Sequence, residues 1–101
     1  SNEIMGEGYL VRQYENFDVI LFLDQITENT SLEFAVTVVE AMEVYESNIE
    51  IQTKSCFAIQ KLARKQDSYR RILLELGVGR LIIQAVKSFP FETALHENAC
   101  A

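Results

Sequence analysis

Few residues in this chain are of the types that do chemistry, and their spacing limits what that chemistry is. His96 and Cys100 stand four apart, one helical turn, which suits a Cys–His nucleophile pair or half of a metal site. His96 is the only histidine, and two ligands cannot close a tetrahedral zinc site. Glu40, Glu43, Glu46 and Glu50 step along helical faces, as solubilising charge does, with no sign of two carboxylates facing across a cleft. Gly77-Val78-Gly79 has the glycines of a phosphate loop but lacks the strand before it and the lysine after it. The expectation is no metal site, no cofactor and no enzyme activity.

A second group suits binding. Lys54, Phe57, Lys61 and Arg64 recur at spacings of three and four, so they share one helix face. An aromatic flanked by bases fits an acidic, partly apolar peptide. The plainer reading is a solvated basic face with Phe57 packed on a neighbouring unit. Adding Lys65, Tyr69, Arg70 and Arg71 makes a set that could bind phosphates by counterion release. The chain as a whole is acidic, with net charge −6 and pI near 4.7, which argues against nucleic acid and for a protein or peptide partner.

The charge is unevenly spread. Residues 1–50 hold eleven acids and one base, Arg12, whereas residues 51–101 hold eight bases and four acids. Such asymmetry speaks to partners rather than to fold. Hydrophobic residues make up 49% of the chain, enough to bury a core and to set disorder aside. The longest fully apolar run, Val19 to Leu23, is far short of the roughly 20 residues that cross a bilayer, so no membrane contact is expected. The polar start, Ser1-Asn2-Glu3, does not resemble a signal peptide, and the lack of a starting Met predicts a segment cut from a longer protein. Cys56 and Cys100 then read as reduced thiols of a cytoplasmic or nuclear protein.

The elements that carry these residues read as helices. Val19, Ile20, Phe22, Leu23 and Ile26 predict a first helix over about 15–28, apolar nearly all round and so covered on more than one side. Thr30 with Glu33 fits a capping box for a second helix, about 31–46, with Phe34, Val38, Met42 and Tyr45 as its stripe. Asn48 is placed to cap a third, about 49–65, whose Ile51, Ser55, Ala58, Ile59 and Leu62 face inward. Asp67 is placed to cap a short fourth helix, which Gly77 ends. A fifth spans about 79–88, before Phe89-Pro90, and the last starts near Thr93.

Residues 38–56 align without a gap on residues 82–100, an offset of 44. Val38, Ala41, Tyr45, Ile51 and Cys56 meet Ile82, Ala85, Phe89, Leu95 and Cys100, each pair keeping its apolar character. An internal period of about 40–47 residues belongs to helical repeats of the armadillo and HEAT type. Residues 31–63 and 67–101 resemble units of the armadillo family, a resemblance covering about 70 residues. It implies an all-α fold, a right-handed α–α superhelix of about two repeats behind an N-terminal helix. The units are the N-terminal helix over 1–30, repeat 1 over 31–66 and a truncated repeat 2 over 67–101. It also implies a protein-interaction scaffold whose third helices line a concave groove. Family members that bind extended peptides carry a Trp, and an Asn four residues on, where this chain has Phe57 and Lys61, so nuclear-import-type binding is not implied. Ala101 stands at the next such position, so no aromatic ladder continues. The alternative is a structural segment of a larger multidomain protein, an enzyme among the options, that self-associates through uncapped repeat ends into a homo-oligomer.

Overall fold

The computed structural model describes residues 14–100. Six α-helices and one 3-10 turn lie among them, and no strand. In order they are α1 (Asn16–Asp24), the 3-10 turn (Leu32–Phe34), α2 (Ala35–Val44), α3 (Ile49–Arg64), α4 (Asp67–Glu75), α5 (Val78–Ser88) and α6 (Thr93–Cys100). None of the described helices is long and apolar enough to cross a membrane.

The long helix α3 organises the rest. Asn48 starts it, its side chain accepting from the Ile51 amide at 3.0 Å and so satisfying one of the free donors of the first turn. Lys61 and Arg64 close it, cations at the negative end of the helix dipole. The inward positions expected from spacing, Ile51, Ser55, Ala58, Ile59 and Leu62, are all buried, and Gln52 and Cys56 join them. This arc lets α3 pack against α1, α2, α4 and α6. Helix α5 packs against α2, α4 and α6. Burying each of Ile51, Ile59 and Leu62 contributes about 1.5–3 kcal/mol.

Several expected boundaries move, for local reasons. The capping box at Thr30 and Glu33 does not form. The Thr30 hydroxyl turns back to accept from the Thr27 amide at 2.8 Å, and Thr27 Oγ1 accepts from the Asn29 amide at 3.1 Å. These hydroxyl-supported turns end the first helix at Asp24 instead of near Glu28. The second helix accordingly enters through a 3-10 turn from Ser31, which makes no side-chain cap. Asp67 does not cap α4. Gln66, fully extended, holds that position, and Asp67 lies inside the first turn, where its charge still suits the helix dipole. Gly77 does what was expected of it. At φ 92° it is left-handed, and it both ends α4 and starts α5.

Among the described residues, helix α1 is covered on one side only. Val19 and Leu23 are buried while Phe17 and Leu21 face outward, so the apolar circumference that predicted cover on several sides is left partly open. Helix α2 is the more enclosed, with Ala35, Thr37, Val38, Val39, Ala41 and Met42 all buried, well beyond its expected single stripe.

Candidate functional site

The face predicted on α3 exists as one surface, and α1 comes to it. Lys54 Nζ lies 2.6 Å from Asp24 Oδ1. Lys61 Nζ donates to the Ile26 carbonyl at 3.0 Å while sitting 4.2 Å from the centre of the Phe57 ring. Arg64 Nη1 is 3.8 Å from Glu28 Oε1. Partners 24, 26 and 28 ascend with 54, 61 and 64, so this ladder runs the same way along both segments. The bases therefore tie α3 to the carboxyl end of α1 and the turn after it. Phe57 remains 42% exposed in their midst. Its ring face carries the cation–π contact with Lys61, worth about 0.5–1 kcal/mol at such a site.

Strength differs along the ladder. The Arg64–Glu28 pair is long and its side chains are more than half exposed, so it contributes about 0–1 kcal/mol and can be exchanged at little cost. Lys54–Asp24 is short and better enclosed. Of the other bases considered for phosphate binding, Lys65 stacks loosely on Tyr69 at 6.0 Å, and Arg70 and Arg71 are exposed on α4.

His96 takes a structural place. Its Nε2 lies 3.1 Å from the carbonyl of Phe89, the residue that ends α5, so this nitrogen must carry the proton. Forty-four residues earlier, Gln52 Nε2 donates to the carbonyl of Tyr45, the residue that ends α2, at 2.9 Å, and to that of Met42 at 3.1 Å. The two corners match further. Tyr45 and Phe89 donate their amides to the Ala41 and Ala85 carbonyls at 3.0 Å each, in similar backbone conformations. A polar residue in the first turn of a following helix thus holds the end of the preceding one at both corners. Gln52 was missed as a functional position. The available signal was that it aligns with His96, a polar pair immediately after the apolar pair Ile51 and Leu95.

Cys56 is buried, and that burial pushes its thiol up to about 11, the opposite of what a nucleophile needs. The side chain of Cys100 lies outside the described residues, so the His96–Cys100 pairing does too. Among the described residues no three of His, Cys, Asp and Glu come together as a metal site would need. Glu43 of α2 and Glu46 of the turn after it reach α5, through Arg80 at 3.7 Å and the Gln84 amide at 3.3 Å. Beside them Glu46, Ser47, Gln84, Ser88 and Phe89 line an open groove of about 240 Å³.

No family model matches the chain, and comparison with curated proteins and with solved structures gives no match either. The functional reading rests on the chain's own residues and geometry.

Proposed function

We propose that this chain is an armadillo-like protein-binding module without catalytic chemistry, a right-handed α–α superhelix of about two repeats behind an N-terminal helix. The observation that carries the reading is the corner hydrogen bond made by Gln52 and again, 44 residues on, by His96. Stacking of like elements supports it, since α3 packs on α6 and α2 on α5, each helix against its counterpart one period later. The setting that goes with this reading is the cytoplasm or nucleus, where a thiol such as Cys56 stays reduced.

The binding surface in this reading is the outer strip of α3 centred on Phe57 and Arg64. The partner is a protein or peptide segment that sets an apolar side chain on the Phe57 ring and a carboxylate on Arg64. Glu28 would yield Arg64 readily because their pair is loose. The test uses immobilised extended peptides varied in net charge and in aliphatic or aromatic content, probed with the whole chain. Retention of acidic, partly apolar peptides is expected, weakened about tenfold or more by Phe57→Ala or Arg64→Ala, each worth about 1.4 kcal/mol or more. Ser68→Ala, on exposed α4, serves as control. Equal retention by the Phe57→Ala and control proteins removes this face from the account.

A further inference from the structure

The molecule presents two exposed apolar patches of opposite charge, on different helices, neither belonging to the α3 face. The first lies on α4 and α5. Leu74 and Ile83 are 59% and 58% exposed, and Leu74 Cδ2 comes within 3.7 Å of where a Cβ on Gly79 would stand. Gly79 is one turn before Ile83, so the two side chains adjoin. Arg70 precedes Leu74 by four residues and Lys87 follows Ile83 by four, which brackets the pair with bases at both ends. Neither base takes part in an ion pair among the described residues. The second patch lies on α1, where Phe17 and Leu21, 66% and 43% exposed, are one turn apart with Asp18 beside them, itself exposed and in no ion pair among the described residues.

We infer that these patches are the two halves of one contact, and that each copy of the chain docks its Leu74–Ile83 patch on the Phe17–Leu21 patch of the next. The argument is charge complementarity. A twofold pairing of the α4–α5 patch with itself brings Arg70 and Lys87 against their own copies, and a twofold pairing of α1 sets acid on acid. Like charges facing each other across an interface are strongly disfavoured. Joining the unlike patches removes both conflicts and covers four apolar side chains. The uneven distribution of acids and bases between the chain's halves favours the same polarity. A contact between unlike faces leaves one of each open, so it propagates head to tail instead of stopping at a dimer. The inference does not depend on the peptide reading of α3.

The test is mass in solution, by light scattering and sedimentation across a wide concentration range, with variants that each silence one patch. Ile83→Glu removes the basic patch and Phe17→Lys the acidic one, both at exposed positions. The mass of the unaltered chain is expected to rise beyond a dimer with concentration and to fall when salt is raised. Each variant alone is expected to remain a monomer, and an equimolar mixture to give a dimer that grows no further, because one good patch of each kind is left. Should Phe17→Lys lose its helical dichroism, Asp18→Lys takes its place. A constant monomer mass for the unaltered chain would overturn the inference and leave the patches to another protein or to solvent. Self-association of either variant alone would also overturn it, in favour of a symmetric contact.

Discussion

Replacing Gln52 with Met is the most direct probe of the fold. Met keeps the length and volume of the side chain and removes its donors. The Gln52 Nε2 is enclosed and serves two carbonyls, those of Met42 and Tyr45. The Tyr45 carbonyl keeps a second donor in the Asn48 amide at 3.0 Å, so it loses only part of its bonding. The Met42 carbonyl depends on Gln52 more heavily. One buried acceptor left unsatisfied costs about 1–3 kcal/mol, and the second lost bond adds about 0.5–1 kcal/mol. The expected destabilisation is about 2–3 kcal/mol, which for a domain of this size lowers Tm by roughly 10–20 °C. Gln52→His should lose less than Gln52→Met but still about 1–2 kcal/mol, because His96 shows that a ring nitrogen can make the Tyr45-type bond, whereas nothing then serves the Met42 carbonyl. Urea unfolding followed by far-ultraviolet dichroism reads both, with an unchanged slope showing that the native state is intact. If Gln52→Met matches the unaltered chain within about 0.5 kcal/mol, the corner bond does not hold the helices together. His96→Met should cost less than Gln52→Met, since His96 is only partly buried and water can reach the Phe89 carbonyl in its place.

Other substitutions test separate parts of the structure. Ser55 Oγ is enclosed with no partner among the described residues, and the repeat places Ala99 at the same position. Ser55→Ala should therefore raise stability by about 1 kcal/mol, from relief of the unpaired hydroxyl and better helix propensity, and an equal or lower Tm would contradict the geometry. Gly77→Ala should cost about 1–2 kcal/mol through backbone strain alone, because an added Cβ meets nothing closer than 3.9 Å; Asn should cost less than Ala in the same urea titration. Burial raises Cys56 from 9.0 to about 11, so the unfolded chain loses its thiol proton first. The stability from this group is complete below pH 9.0 and declines as pH rises to about 11, by roughly 3 kcal/mol in all. The stability difference between the unaltered chain and Cys56→Ala should shrink over that window, and a difference independent of pH would exclude a buried thiol.

Periodicity revealed what depends on local pattern. The inward face of α3, the Asn48 cap, the Gly77 turn and the start of α6 at Thr93 all follow from spacing and from the preferences of single residues. It failed where two local options compete. Thr30 can cap a following helix or brace the turn before it, and in the structure it braces the turn. Spacing along α3 placed Lys54, Phe57, Lys61 and Arg64 on one face but carried no information on what lies opposite. Asp24, the Ile26 carbonyl and Glu28 are 30 or more residues away in sequence, and only the path of α1 brings them there. The residues of the candidate site were thus readable, and their state of pairing was not.

That pairing explains the uneven charge. Each of the three ion pairs among the described residues joins an acid of residues 1–50 to a base of residues 51–101: Asp24 to Lys54, Glu28 to Arg64 and Glu43 to Arg80. The charge difference between the halves is therefore used inside the fold as well as displayed outside it. These two uses respond differently to salt. The internal pairs are partly exposed, contribute about 0–1 kcal/mol each and sit beside packed apolar contacts that salt leaves intact. Raising salt from 0.05 to 0.5 M should thus change the urea midpoint by no more than about 1 kcal/mol in free energy. Contact between copies has only small apolar patches behind it, so its electrostatic share is larger and the same change in salt should disperse it while the fold stands. Loss of helical dichroism in parallel with loss of mass would refute this division, because it would mean that the charges hold the fold itself together.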